Sequence, residues 1–327
     1  MRITVTGATG HVGATLVRDL LVRGQEVRAL VYEDSPALVG LDVESVWGNV
    51  LSPDSLRQAF AGADQVYHLA ASIFLGRDAG GVGRRVNVEG TANVVEACLA
   101  CGVSRLIHFS SIHALSAHPR TSPVTEARPL CLGERVPGYD RSKAEAEAKV
   151  WEGISKGLDA VILCPTGVVG PYDFAVSHMA RVLLDLMGRR VPALVHGGFD
   201  WVDVRDVTAS AMAAAEKGRR GERYILAGHY VTLAGVALAV QEATGVPAPK
   251  WVLPMNVARL GATGAVVWEA LSGKKTAFTI AALHALRNHQ EVDGAKAARE
   301  LGHHARPFST TIADTFDWFR EAGMLPT

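Results

Sequence analysis

Residues 2–13, Arg2-Ile3-Thr4-Val5-Thr6-Gly7-Ala8-Thr9-Gly10-His11-Val12-Gly13, decide the fold. Ile3 to Thr6 is rich in β-branched residues and reads as a short strand. Gly7, Gly10 and Gly13 follow, and Ala14 to Arg23 carries the amphipathic period of a helix. Strand, glycine turn and helix N-terminus in that order form a dinucleotide site. The glycines allow a tight turn, a close backbone approach to the pyrophosphate, and close packing of helix on strand. The spacing is Gly-x-x-Gly-x-x-Gly, not the more familiar Gly-x-Gly-x-x-Gly. A glycine triplet alone would also describe a plain turn. The strand before it and the helix after it favour the phosphate reading.

The same alternation continues outward. Strand-like runs are Val27–Val31, Ser45–Trp47, Gln65–Leu69, Arg105–Phe109 and Ala160–Cys164. Helix-like runs are Ser55–Phe60, Val88–Cys101 and Arg141–Lys156. This rhythm predicts an α/β fold with a doubly wound parallel sheet. Pro165, Gly167, Gly170 and Pro171 interrupt it. Phe199–Val204 and Arg223–Ile225 read as two more strands around a helix at Val207–Lys217, and from Thr232 the chain reads as mainly helical. The expected division is a dinucleotide-binding domain of residues 1–171 plus about 197–230, and a smaller, mainly helical substrate lobe of about 172–196 plus 231–327.

With 327 residues, 48% of them hydrophobic, the chain can bury a sizeable core. Its formal net charge is zero, and no run of like charge points to nucleic acid or to an anionic membrane. The first core strand starts at residue 2, so no signal peptide is expected. The apolar stretch Val257–Leu271 contains Arg259 and Glu269 and is too short to cross a bilayer. Four cysteines fit a reduced, cytoplasmic setting. Cys98-x-x-Cys101 falls on a predicted helix with no second pair nearby, which favours packing over metal or redox chemistry.

Tyr139-Asp140-Arg141-Ser142-Lys143 places a phenol and an ammonium one helical turn apart, on the same face. A free tyrosine titrates near ~10, and a neighbouring ammonium favours the phenolate. A downward shift of roughly 3 units, about 4 kcal/mol, would let the phenol exchange protons with a substrate oxygen near neutral pH. Other chemistries have weaker signals. No Gly-x-Ser-x-Gly elbow accompanies the histidines, and no His, Asp or Glu cluster has metal-ligand spacing. His113 reads equally as substrate-facing or as a loop residue, His178 and His196 read as surface positions more than as lining of the variable pocket, and His303-His304 reads as an exposed turn.

Together these motifs resemble the extended short-chain dehydrogenase/reductase family, with its Rossmann-type sheet. Besides the glycine loop, the resemblance rests on Gly48-Asn49-Val50, Val66-Tyr67-His68-Leu69-Ala70-Ala71, Asn87-Val88-Glu89-Gly90-Thr91, Phe109-Ser110-Ser111, Tyr139–Lys143 and Pro165–Pro171. Asp293–Lys296, Glu300–Gly302 and Trp318 extend it to the C-terminus. The resemblance implies NAD(P) as cofactor, a small-molecule carbonyl or alcohol as substrate, and a homodimer. It implies Ser111, Tyr139 and Lys143 as catalytic residues, with Ser110 as the alternative serine. It implies cofactor contacts from Gly7, Thr9, Gly10, His11, Val12, Gly13, Tyr32, Asn49, Val50, Leu69, Ala70, Ala71, Asn87, Pro165 and Val168. Pro165–Pro171 and Trp201–Val207 are most similar to the dihydroflavonol-reductase-like branch.

Two choices stay open. The second strand ends Val31-Tyr32-Glu33-Asp34, which has neither the aspartate of NAD-using epimerases at Val31 nor the arginine of related reductases at Tyr32. Glu33 would suit a ribose hydroxyl, and Arg28 a phosphate. The reaction is either net hydride transfer or a nucleotide-sugar epimerisation or dehydration with retained NAD. A non-catalytic dinucleotide sensor is the third possibility, and the Tyr–Lys pair speaks against it. Gly198-Phe199-Asp200 lacks the arginine that holds a sugar diphosphate, which weighs against a nucleotide sugar. Phe174, Met179, Trp201, Trp251, Trp268 and Phe278 give the expected pocket regions, roughly 172–200 and 250–290, an apolar content.

Overall fold

The computed structural model describes residues 1–74, 76, 78–134, 136–256 and 291–325. Seven strands form one parallel sheet: β1 (Arg2–Thr6), β2 (Glu26–Val31), β3 (Glu44–Trp47), β4 (Gln65–His68), β5 (Arg105–Phe109), β6 (Ala160–Pro165) and β10 (Arg223–Leu226). Their order is β10-β6-β5-β4-β1-β2-β3. Each pairing is parallel, for example Thr6 opposite Leu30 on one side and His68 on the other. The order reverses at β1, so the crevice between the ends of β1 and β4 is the topological switch point where such sheets bind ligands.

Period-two alternation sends side chains to two covers. Val5, Tyr67, Ile107 and Leu163 face α1 (His11–Val22), α6 (Val204–Lys217) and α8 (Ala295–Leu301). Val66, Leu106 and Ile162 face α2 (Pro53–Phe60), α3 (Val82–Cys101) and α4 (Gly138–Ser155). Cys98 lies fully buried in this second cover and carries a free thiol. A third cluster packs α5 (His178–Met187), α7 (Leu233–Thr244) and α9 (Phe308–Glu321) around Trp201.

β9 (Gly198–Asp203) does not join the main sheet. It pairs in parallel with β7 (Gly167–Val169) and antiparallel with β11 (His229–Thr232). Two short strands, β8 (Leu194–Val195) and β12 (Val252–Leu253), form a separate pair. No helix among the described residues is long and apolar enough to cross a membrane. The stretch Val257–Leu271 lies outside the described residues.

Helix starts differ from the sequence reading. α1 begins at His11, not Ala14, so the third glycine sits inside its first turn. α3 begins at Val82, not Val88. Its start is hidden among glycines and is capped by Asp78, whose carboxylate accepts the N–H of Gly83 at 3.0 Å and of Arg84 at 2.8 Å. α4 begins at Gly138 after Pro137, which puts Tyr139 in its first turn. His303 is not in an exposed turn. It is buried, with Nδ1 at 2.7 Å from the Ser210 hydroxyl and Nε2 at 2.7 Å from the Ala227 carbonyl.

The glycines explain the crossing of β1 into α1. A Cβ on Gly13 would lie 2.1 Å from the Gly7 carbonyl oxygen, and one on Gly7, which has φ +71°, would lie 2.6 Å from the Ala70 nitrogen. Both obstacles are backbone, so no side chain can move aside. Gly13→Ala is expected to cost on the order of 3–5 kcal/mol of stability. Urea unfolding of the variant reads this directly, and a midpoint equal to the parent protein's would contradict the packing.

Candidate active site

Four neighbouring parallel strands deliver the predicted residues to one edge of the sheet. β1 ends at the glycine loop, β4 at Leu69–Ala71, β5 at Ser110–Ser111 and β6 at Pro165. Gly7 rests on the backbone of Leu69 and Ala70. Leu69 and Ala70 are half-buried against the two sheet covers, and Ala71 is exposed.

The glycine loop fits a dinucleotide. Gly10 is exposed, and its missing Cβ would approach only the Gly7 carbonyl oxygen, at 3.4 Å. Its bareness is therefore not required by internal packing. Gly10 accepts the first intrahelical bond, from Ala14 at 2.8 Å, and its position before α1 has no side-chain cap. The N–H groups of His11, Val12 and Gly13 precede that ladder and are the groups that would meet an anion. Thr9 is half-buried beside them, and Val12 packs on the core.

The His11 ring is engaged elsewhere. Its Nε2 lies 3.0 Å from the Pro171 carbonyl, and its Nδ1 lies 3.8 Å from the buried Asp173 carboxylate. Pro165 is buried at the end of β6, and half-buried Val168 pairs with Val202. Asn49 accepts the Leu51 N–H at 2.9 Å, and Val50 is buried, its carbonyl held by Asn93 at 3.0 Å. Tyr32 is exposed at the end of β2. Arg28 is spent inside the fold, on the carbonyls of Ala59 (2.8 Å) and Ala61 (2.9 Å) and on Glu44 (3.0 Å).

Asn87 is a brace. Its amide accepts the Ser72 N–H at 2.7 Å, and donates to the Ser72 carbonyl at 3.0 Å and to the Ser142 hydroxyl at 2.9 Å. Ser142 in turn donates to the Tyr139 carbonyl at 2.7 Å. The loop after β4 is thus tied to the first turn of α4.

The two serines after β5 part as a strand requires. Ser110 points under α4 and donates to the Glu147 carboxylate at 2.5 Å. Ser111 lies beside the Tyr139 phenol, and its hydroxyl accepts the His113 N–H at 3.2 Å. Tyr139 is half-buried, with the edges of Phe74 and His113 at 5.9 and 5.8 Å between ring centroids. His113 in turn faces Asp140, 3.2 Å away.

Electrostatics depart from the sequence expectation. Burial pushes the Tyr139 phenol up to about 12. The Asp140 carboxylate adds to the rise, and the Ser111 hydroxyl opposes it. The Lys143 ammonium donates to the Phe109 carbonyl at 2.8 Å. Burial pulls Lys143 down to about 8, and the Glu147 carboxylate works against that fall. Beneath it, on the facing strands β4 and β5, lie the buried rings of His68 and His108, with centroids 5.4 Å apart. His68 bonds to Thr6 at 2.8 Å and Thr91 at 3.0 Å, and burial lowers it to about 3. Both ring nitrogens of His108 are buried without a hydrogen-bond partner, and desolvation pulls it well below the usual histidine range.

The sequence reading missed Glu147 and the His68–His108 pair. The 3.6-residue period that links Tyr139 to Lys143 leads on to Glu147, so that signal was present. The histidines needed the strand register. The expected pocket aromatics divide. Trp201 is core, Trp251 is exposed, Phe174 packs on Trp318 at 5.2 Å, and Met179 lies beside Gly167. Trp268 and Phe278 lie outside the described residues. His178 and His196 are exposed.

A doubly wound parallel sheet with a glycine turn at its switch point and a Tyr-x-x-x-Lys helix beside it defines an NAD(P)-dependent enzyme of the extended short-chain dehydrogenase/reductase type. The family model described as "NAD dependent epimerase/dehydratase family" matches residues 3–227, and the chain belongs to that family. It is 36% identical to "Sterol demethylase protein B" of Methylococcus capsulatus over 99% of this chain and 100% of that protein. It is 32% identical to the "Putative dihydroflavonol 4-reductase" of Synechocystis over 99% and 96%. Among solved structures, gox2253 superposes with a TM-score of 0.86 at 32% identity, covering 99% of each chain.

Holding Lys143 charged in the buried site costs stability. Its ionisation at about 8 against 10.5 corresponds to on the order of 3 kcal/mol. Below pH 8 both folded and unfolded chains are protonated there, and the cost is fully present. Between pH 8 and 10.5 the unfolded chain holds the extra proton, so stability rises with pH. Lys143→Met in the cofactor-free protein is therefore expected to gain roughly 1–3 kcal/mol at pH 7, and less above pH ~10. Urea titrations at the two pH values check this, and a loss of stability at pH 7 would contradict it.

Proposed function

We propose that this enzyme is a reductase that transfers a hydride to an apolar, bulky carbonyl compound, or removes one from the corresponding alcohol. Tyr139 is its proton donor, Ser111 orients the substrate oxygen, and Lys143 is the charged partner in the site. The observation that carries the reading is the placing of Ser111 beside the Tyr139 phenol at the strand ends next to the glycine loop, with Ser110 held away by Glu147.

The glycine loop, the N-terminus of α1, Asn49–Val50, Leu69–Ala71 and the Pro165–Val168 loop would hold the dinucleotide. Its nicotinamide supplies or accepts the hydride. Ser111 donates a hydrogen bond to the carbonyl oxygen and fixes its position. Tyr139, protonated at neutral pH in the free protein, gives its proton to that oxygen as negative charge develops there. The charge of Lys143 stabilises the phenolate left behind.

The exposed acids Glu33 and Asp34 at the end of β2, together with the internal commitment of Arg28, favour a free ribose hydroxyl over a phosphate. NADH is thus the preferred reductant. The names of the relatives, a sterol demethylase protein and a dihydroflavonol reductase, support a bulky apolar substrate. Asp200 in place of a cation supports the same choice over a sugar diphosphate. The family resemblance carries a cytoplasmic homodimer.

A panel of aromatic and alicyclic ketones assayed by NADH absorbance tests the proposal. Net oxidation of free NADH is expected. A tightly retained NAD with no net absorbance change would replace the reductase by an epimerase. Tyr139→Phe should keep the fold and bind dinucleotide, yet lose about 10²–10⁴ in kcat. Near-parent turnover in that variant would remove the phenol from the mechanism. Gly10→Ala should leave stability within roughly 0.5 kcal/mol but weaken NADH binding, read by quenching of protein fluorescence. Unchanged affinity would place the pyrophosphate elsewhere.

A further inference from the structure

One face of α4 carries Tyr139, Lys143 and Glu147, each a turn beyond the last. The first two have roles in the reaction above, and the third lies too deep to meet a substrate. Glu147 is wholly buried. Its Oε2 accepts the Ser110 hydroxyl at 2.5 Å and lies 3.9 Å from the Cys164 sulfur. Its Oε1 accepts the Trp151 indole N–H at 3.2 Å and the Arg223 Nε at 2.7 Å. Arg223 also donates to the Glu126 carbonyl at 2.8 Å, so the ion pair reaches from α4 across β10 to the long loop after β5. A carboxylate this deep persists only if paired and hydrogen-bonded, and every contact here meets that need.

We propose that Glu147 is a positioning residue of the catalytic site. Anchored by Arg223, it turns Ser110 inward so that Ser111 faces Tyr139, and it supplies the counter-charge for the Lys143 ammonium. The inference rests on the roles given to Ser111, Tyr139 and Lys143 above.

The groups facing Lys143 single out this carboxylate. From β4 comes His68, and from β5 His108 and the Phe109 carbonyl. From β6 comes Cys164, and from α4 itself Tyr139 and Glu147. Burial holds both imidazoles neutral and keeps the Cys164 thiol protonated, its ionisation raised well above the usual range. The phenol is protonated at neutral pH. Asp140 lies on the neighbouring side of the helix, beside His113. Glu147 is the anion of the set.

The test reads the charge of Lys143 without substrate or cofactor. The protein is labelled with lysine carrying ¹³C at Cε, and the Lys143 resonance is assigned by its absence in Lys143→Met. Its pH titration in the parent protein should have a midpoint near 8. Glu147→Gln, which keeps the shape and removes the charge, should lower the midpoint by roughly one unit or more. Glu147→Asp should stay close to the parent. An unmoved midpoint in folded Glu147→Gln overturns the inference. If Glu147→Gln alone fails to fold because Arg223 is left unpaired, the double variant Glu147→Gln/Arg223→Met removes both charges. Its Lys143 midpoint must fall below that of Arg223→Met alone, and equal values in those two variants overturn the inference. A lowered midpoint in a protein that reduces no carbonyl compound would uphold the role of Glu147 and dismiss the reductase.

Discussion

Backbone touching backbone is the constraint on which the rest of the structure depends. At the end of β1 the chain must turn sharply, rest on the end of β4, and start a helix at once. Gly7 and Gly13 permit this because at each position any side chain would strike main-chain atoms. The close approach aligns β1 and β4 at the switch point of the sheet and aims the N-terminus of α1 into the crevice. Gly10 differs in kind. It is bare where the interior makes no demand, which sets it apart from two residues needed for packing.

A second layer of organisation runs along α4. This helix crosses the ends of β5 and β6 and projects a phenol, an ammonium and a carboxylate in sequence from the rim of the crevice to the core. The alternating geometry of β5 sorts the two serines between them, Ser111 to the phenol and Ser110 to the carboxylate. Below lie two neutral histidines, one with neither ring nitrogen paired. Such a burden of buried polarity is costly, and it is concentrated beneath one lysine.

Much of this was legible in the sequence, for physical reasons. The parallel sheet followed from β-branched runs alternating with helical periods, and the site followed from glycine spacing and a four-residue interval on one helix. Helix starts were poorly legible. Gly13 looks like part of a turn although it lies within α1, and the start of α3 hides among Gly80, Gly81 and Gly83. The inward role of Ser110 depended on Glu147, thirty-seven residues away in sequence. His303 looked like a turn residue because nothing local discloses Ser210 and the Ala227 carbonyl, which enclose it. The direction of the tyrosine shift also escaped the sequence. Adjacency to a lysine was visible, but the burial of the phenol was not.

The engagement of Arg28 has a consequence for redesign. Its guanidinium clamps two carbonyls at the end of α2 and the carboxylate that starts β3, so it acts as a rivet between the second and third strands. Recruiting it to a new ligand would loosen that edge of the sheet. A cation added by design at this strand end is better placed at the solvent-facing Tyr32, which leaves the rivet intact.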